Sequence, residues 1–347
     1  MRQISIALMG FGNVGQAFAS LLLKKQEILK NDFNVEIIVT GIYTKNHGSA
    51  INSGGINLIR ALEFIAQGTS LSNLSEENRV LTAEDFINDS SAEIFVESTP
   101  LNPHDGQPAL FYNRTALNRG KHVVTANKGP VVHGHVELSK LALDRNKGFY
   151  FESAVMDGAP IFSLFRETLP AVELKSFTGI LNSCTNYLLD LMNEGVSFDN
   201  AVKQAQKIGI TETDPSADID GWDATVKVSA LVSVLMGISL KPNQVQRKGI
   251  RDITPEMINA ALEDGKKWKL ICTAKRQGNR ILEASVYPQQ IGPESQLYHI
   301  NGTSSFVQFE TDVLPGLGIL EKDPGPITTA FGMLADIITI LRKFYTY

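Results

Sequence analysis

A chain of 347 residues is long enough for two domains and a sizeable core, and 43% hydrophobic with 20% charged residues is ordinary for a globular protein. Its 32 Lys and Arg against 37 Asp and Glu leave a net charge of −5, which argues against nucleic acid or an anionic membrane as partner. Cys184 and Cys272 stand in no metal-ligand or CxxC spacing, no run reaches the roughly 18 apolar residues of a membrane span, and the N-terminus lacks a signal-peptide core, so a cytoplasmic protein is expected.

Residues 4–8 are a short β-branched run, followed by Gly10-Phe11-Gly12-Asn13-Val14-Gly15 and then by Val14, Ala17, Phe18, Leu21 and Leu22 on one helical face. Strand, G-x-G-x-x-G and helix in that order predict a dinucleotide-binding loop. Gly10 allows the tight turn, Gly12 lets the backbone approach a pyrophosphate, and Gly15 permits close helix–strand packing, with Asn13 and Val14 opening the helix. A second strand is predicted over 35–43. A site for NAD normally carries Asp or Glu near this strand end to hold the ribose 2′-hydroxyl. This chain has Thr44 and Lys45 there instead, a hydroxyl and a positive charge that suit a 2′-phosphate. NADP is therefore favoured over NAD, although Lys45 is also what an ordinary solvated loop carries.

Strands over 93–97 and 121–125 alternate with helices over 109–118 and 136–146, which implies a parallel, doubly wound sheet. Thr99 and Lys128 fall at strand C-terminal ends, where open α/β sheets bind ligands. His133 and His135 have no third ligand nearby and read as polar residues at a helix start, so no metal is expected.

After residues 149–152 the period changes. A helix is expected to start within 155–164, a strand to cover 172–181, and helices to cover 183–192 and 198–208. Residues 222–237 follow, apolar nearly all the way round as in a helix buried on most sides. Asp223 and Lys227 are its only charged residues, four apart on one face, and Glu212, Asp214, Asp218 and Asp220 lie just upstream. A carboxylate and an ammonium there are costly unless paired, hydrated by a cleft or used. Acids crowded round one lysine suit a cationic small molecule bearing a hydroxyl or carbonyl. An exposed i,i+4 ion pair is the bland alternative. A calcium loop fails, because Lys227 stands where the bidentate Glu is needed. Strands over 267–275 and 280–287 flank the turn Gln277-Gly278-Asn279, and a helix from about Thr328 follows the turn Asp323-Pro324-Gly325-Pro326 and is expected to pack back on the first domain.

Taken together, these residues resemble the homoserine dehydrogenase family across nearly the whole chain. The matching pieces are G-F-G-N-V-G at 10–15, V-T-A-N-K at 124–128, G-I-L-N-S-C-T-N-Y-L-L at 179–189, E-T-D-P-S-A-D-I-D-G-W-D-A-T-V-K at 212–227, and T-A-F-G-M-L-A-D-I at 329–337. The resemblance implies a Rossmann-like domain over 1–151, an α+β substrate and dimerisation domain over 152–319, and a returning segment over 320–347. It implies NAD(P)H-dependent interconversion of L-aspartate 4-semialdehyde and L-homoserine by a homodimer. Lys227 takes the place of the family's catalytic lysine and Asp223 of its partner aspartate. Glu212 and Asp218, with Thr185 and Lys128, match substrate-binding positions, and Thr99, Lys128 and Gly325 lie on the cofactor side. The chemistry agrees: the substrate's ammonium needs carboxylates, and its carbonyl oxygen needs a proton donor as hydride arrives.

Two segments depart from the family pattern. Ser183-Cys184-Thr185-Asn186 stands where G-T-T-N is usual, and Val155-Met156-Asp157-Gly158-Ala159-Pro160 where a glycine-rich V-G-G-G-x-P turn is usual and in some members carries a monovalent cation. No regulatory domain is expected after Tyr347. A related dehydrogenase for another amino acid or semialdehyde is the second reading, and a non-catalytic NADP sensor the third. The intact Asp223–Lys227 pair speaks against the sensor, since a retired site has no reason to keep costly charges.

Overall fold

The strand β1 (Arg2–Met9) buries Ile4, Ile6, Leu8 and Met9 completely or nearly so, as a strand covered on both faces does. The computed structural model, which describes residues 1–76, 81–211 and 214–345, places it inside a six-stranded sheet. From β1 the chain runs through α1 (Asn13–Phe33), β2 (Val35–Tyr43), β3 (Ser49–Ile51), α2 (Leu58–Ala66), α3 (Ala83–Asp89), β4 (Ile94–Glu97), α4 (Ala109–Asn118), β5 (His122–Thr125), α5 (Lys128–Asp144) and β6 (Phe149–Tyr150). The strand order is β3-β2-β1-β4-β5-β6, parallel except for the short antiparallel edge β3. The order reverses between β1 and β4, so the ligand crevice of a doubly wound sheet opens at the carboxyl ends of these two strands. The helix expected over 136–146 starts earlier, at Lys128, because the Asn127 side chain caps it by accepting the Gly129 N–H at 2.8 Å.

The helix expected to start within 155–164 begins only near the end of that run, at Phe162. Glu152–Ala154 make one 3-10 turn, Asp157 takes a left-handed φ of 38°, and a short π-helical turn follows at Leu164–Thr168. Gly158 and Pro160 break the intervening chain. Val155, Met156, Ile161 and Phe162 are buried all the same, so the apolar run marks tertiary burial rather than helical period.

The second sheet is built from β7 (Leu174–Ile180), β8 (Gln246–Arg247), β9 (Lys267–Gln277), β10 (Arg280–Ile291), β11 (Ser305–Thr311) and β12 (Pro315–Glu321) in the order β12-β11-β7-β9-β10-β8. Its ladders are antiparallel except β10–β8. Between β7 and β8 lie α6 (Ser183–Asn193), α7 (Phe198–Lys207), α8 (Ser216–Ile219) and α9 (Trp222–Leu235), and α10 (Pro255–Glu263) follows β8. α6, α9 and α10 all pack on β9. α9 is buried at Ala224–Val226 and from Val228 to Ser233, as its all-round apolar sequence requires.

The last helix, α11 (Pro326–Phe344), shares a core with α1, where Met333, Ile337, Ile340 and Leu341 join Phe18, Leu21 and Leu22. Each such side chain contributes about 1.5–3 kcal/mol when fully buried. Polar contacts pin the return: the carboxylate of the buried Asp336 accepts the Glu152 N–H at 2.7 Å, and Thr328 Oγ1 donates to Asp157 at 2.7 Å. The chain thus divides into two compact units, Met1–Gly158 with Pro326–Tyr347, and Ala159–Gly325.

Candidate functional site

In the first unit, the turn after β1 needs its glycines for different reasons. Gly10 has φ +101°, and a Cβ there would lie 2.8 Å from Ser98 O; a Cβ at Gly15 would lie 2.5 Å from Gly10 O. Gly12, the N-cap of α1, has an ordinary φ of −76° and nothing within 4 Å of an added Cβ. Neither strain nor packing demands glycine at that point, and the open space at the start of a 21-residue helix fits a dinucleotide pyrophosphate. Asn13 is exposed and Val14 half-buried at the same helix start.

At the end of β2, Thr44 Oγ1 donates to Gly48 O at 3.1 Å and accepts the His47 N–H at 2.8 Å, so its hydroxyl closes the 44–48 turn. Lys45 is exposed on that turn. No acidic side chain stands between Tyr43 and Gly48.

The ends of β4 and β5 carry a polar cluster that the sequence reading passed over. Glu97 is fully buried and accepts from Thr99, Thr125 and Asn127. Burial pushes its carboxyl above the usual range, and these hydrogen bonds oppose the shift. Thr99 is half-buried, and Lys128, also half-buried, is the first residue of α5. On α5, His133 Nε2 lies 3.0 Å from Pro103 O. Among the described residues no group of His, Cys, Asp and Glu is arranged to hold a metal ion.

In the second unit the acid–lysine pair lies at the start of α9. Lys227 Nζ lies 3.3 Å from Asp223 Oδ2 and donates to Leu181 O, at the end of β7, at 2.7 Å. The side chains are only 14% and 18% exposed, so this is not the solvated surface pair of the bland alternative. Asn182 organises the carboxylates. Its Nδ2 donates to Asp218 at 2.7 Å and to Asp223 at 3.0 Å, while its Oδ1 caps α6 by accepting the Thr185 N–H at 2.8 Å. Thr211 Oγ1 adds a donor to Asp218 at 3.1 Å. Burial, then the nearby Asp223 charge, raises the Asp218 carboxyl above its ordinary value.

Both cysteines are free and border this cluster. Burial pushes the Cys184 thiol up to about 12, with Asp218 the next cause, and the Cys272 thiol also up to about 12. Thr185 is fully buried with its hydroxyl on Asn182, so its place is beneath the cluster rather than facing a ligand. Asp218, Asp223 and Lys227 are brought together; Glu212 lies outside the described residues. Gly325 closes the second unit, half-buried. Asn182 was within reach of the sequence reading, since an Asn immediately before a helix expected to start at Ser183 is an N-cap signal.

A family model for the NAD-binding domain of homoserine dehydrogenase matches residues 10–152, and one for homoserine dehydrogenase itself matches residues 160–338. The chain belongs to the homoserine dehydrogenase family. It is 36% identical over 341 residues to a homoserine dehydrogenase of Methanocaldococcus jannaschii, covering 98% of this chain and 99% of that protein. An NAD(+)-dependent homoserine dehydrogenase of Pseudomonas canavaninivorans is 35% identical, with 98% and 97% covered. Among solved structures, a hyperthermophilic archaeal homoserine dehydrogenase in complex with NADPH superposes with a TM-score of 0.83 at 29% identity, over 99% of this chain and 98% of that one. The homoserine dehydrogenase of Thermoplasma acidophilum gives 0.83 at 25% identity, over 98% and 100%. The chain is accordingly an NAD(P)-dependent oxidoreductase of the kind that acts on a CH–OH group. No helix among its described residues is long and apolar enough to cross a membrane.

Proposed function

We propose that this chain interconverts L-aspartate 4-semialdehyde and L-homoserine with Lys227 as the proton donor and acceptor. The observation that carries the assignment is the half-buried Lys227–Asp223 pair held beside Asp218 through one Asn182 amide. The Gly10–Gly15 loop with Asn13 and Val14 would hold the cofactor's pyrophosphate, Thr99, Lys128 and Gly325 are assigned to the cofactor as well, and the nicotinamide would supply or accept the hydride when bound. Lys227 gives a proton to the substrate's C4 oxygen as negative charge grows there, and takes it back in the alcohol-oxidising direction. Asp223 pairs with the lysine and Leu181 O aims it. Asp218 and Glu212 receive the substrate's ammonium, Thr185 fixes Asn182, and Lys128 offers a cation to the substrate carboxylate or the cofactor. The first unit takes the dinucleotide, and the second takes the amino acid and pairs with a second copy of the chain, as the family resemblance implies. Two free, buried thiols accord with a cytoplasmic setting. NAD(P)H formation with homoserine and a panel of other hydroxy-amino acids tests the substrate. Turnover of another member of the panel but not of homoserine would overturn it.

Asp218 makes the reading pH-dependent. A carboxyl must be ionised to hold an ammonium, and burial beside Asp223 makes Asp218 give up its proton at a higher pH than a free aspartate. The acid limb of kcat/KM for homoserine, which reports the free enzyme, is therefore expected above the ordinary aspartate range. Asp218→Asn should remove that limb and lower kcat/KM about tenfold or more. A limb left in place in Asp218→Asn would assign it to another group.

Cofactor choice rests on Lys45. With no acid at the end of β2, nothing repels a 2′-phosphate, and a charge-assisted contact to it is worth about 1.5–3 kcal/mol, reduced by solvent exposure. NADP is expected to be preferred over NAD by about tenfold or less in kcat/KM. Lys45→Ala should erase most of the preference, and salt should weaken it in the wild type. Equal use of both cofactors at low ionic strength would remove Lys45 from the site.

A further inference from the structure

The first unit holds a carboxylate to which neither the glycine loop nor the acid–lysine cluster gives a role. Glu97, the last residue of β4, is inaccessible to solvent, and no Lys, Arg or His forms an ion pair with it among the described residues. A buried carboxyl without a cation is destabilising unless donors surround it. Four do. Glu97 Oε1 accepts the Thr99 N–H at 2.7 Å, the Thr99 hydroxyl at 2.5 Å and Asn127 Nδ2 at 3.5 Å, and Oε2 accepts the Thr125 hydroxyl at 2.5 Å.

The donors belong to two different strand-end loops, and they lock those loops to each other. Asn127 Nδ2 also donates to Thr99 O at 2.9 Å and Pro100 O at 3.2 Å, while the Asn127 N–H returns to Thr125 Oγ1 at 3.0 Å. The other end of the same amide caps α5, so the position of Lys128 follows from that of Asn127. On the opposite side, Ser98 N donates to Met9 O at 2.9 Å and Ser98 Oγ to Gly10 O at 3.3 Å, which joins the Glu97–Thr99 segment to the glycine loop. One carboxylate thus sits where three ligand-facing loops meet.

We propose that Glu97 is a positioning residue for the dinucleotide: its carboxylate sets Thr99 and the Asn127–Lys128 turn in the arrangement that receives the nicotinamide half of the cofactor. This rests on the placement of Thr99 and Lys128 on the cofactor side. An acceptor-only group is what this donor set needs. A glutamine keeps the shape but turns one acceptor into a donor, and leaves Thr125 or Thr99 to find another partner. Misplacement by a fraction of an ångström in such a shell lowers activity without removing any group that touches substrate.

The test is steady-state kinetics and melting of the full-length enzyme. Glu97→Gln is expected to raise the cofactor KM about tenfold and to lower kcat, while the homoserine KM stays within about twofold. Thr125→Val, which removes one clamp donor and leaves the carboxylate, should raise the cofactor KM less, and Thr125→Ser should restore it. If Glu97→Gln does not fold, the Thr125→Val and Thr125→Ser pair decides. The proposal is overturned if both folded variants keep cofactor KM and kcat within twofold of wild type, or if the homoserine KM and the cofactor KM rise together. Lys128→Met separates the underlying reading: unchanged cofactor constants in that variant would remove Lys128 from the cofactor side whatever Glu97 does. A raised KM there, with silent Glu97 and Thr125 variants, sinks the clamp alone.

Discussion

Lys227→Ala is expected to lower kcat by about 100-fold or more, the loss that follows removal of a proton-transfer group, while cofactor binding stays nearly as it was. The split follows from the placement of the residue. Its ammonium lies in the second unit, against Asp223 and Leu181 O, whereas every glycine of the dinucleotide loop belongs to the first. Asp223 does not lose all its partners in the variant, because Asn182 Nδ2 still donates to it at 3.0 Å, so folding should survive. Cofactor fluorescence and circular dichroism check those two points, and single-turnover rates isolate the chemical step. A folded variant that keeps more than about a tenth of wild-type kcat would show that another group moves the proton. Lys227→Arg tells charge from proton transfer: guanidinium keeps the charge but does not give up a proton near neutral pH. Activity should stay low in it.

How much of this was legible in the sequence depended on whether the physical demand was local. The glycine loop was, because Gly10 and Gly15 answer contacts made within a few residues or at one neighbouring strand. α9 was, because a helix buried at nearly every position leaves no room for charge, and Asp223 and Lys227 therefore stood out. Residues 155–164 only partly informed, since four buried apolar side chains gave a helical signal to a stretch that Gly158 and Pro160 keep from coiling before Phe162. β11 and β12 were not anticipated. Both lie towards one edge of a mixed sheet, and β12 carries Gly316 and Gly318 with half its side chains exposed, so its strand state comes from pairing with β11 rather than from its own pattern. Glu97 closed a predicted strand, but its partners Thr125 and Asn127 are 28 and 30 residues away, and no local spacing reveals such a meeting. Asn182 sat inside a quoted motif, yet its link to Asp218 and Asp223 spans 36 and 41 residues.

Lys269 is the extreme of this blindness and the source of the largest expected stability change. In the sequence it is the middle of Lys267-Trp268-Lys269, an alternating strand start with two lysines on one face. In the fold it is wholly inaccessible, with Nζ 2.7 Å from Asp190 Oδ1, 2.9 Å from Asn186 Oδ1 and 2.7 Å from Ile300 O. The other oxygen of Asp190 accepts the Gly302 N–H at 2.5 Å, so one ion pair fastens the 300–304 loop to α6. Asp190→Ala strands the ammonium and is expected to cost about 3–5 kcal/mol, a fall in Tm of about 10 °C for a unit of this size. Burial already lowers the Lys269 pKa and Asp190 opposes that shift, so removing the aspartate lowers it further. The unfolded chain then binds more protons than the folded one over a wider alkaline range, and stability rises with pH across it. The gap between variant and wild type should therefore narrow as pH increases. Adding Lys269→Met to Asp190→Ala removes the stranded charge and should recover much of the loss at neutral pH. A Tm within about 2 °C of wild type for Asp190→Ala, or a gap that widens with pH, would mean that the ammonium finds water or another acceptor, and the pair would then be dispensable to the fold.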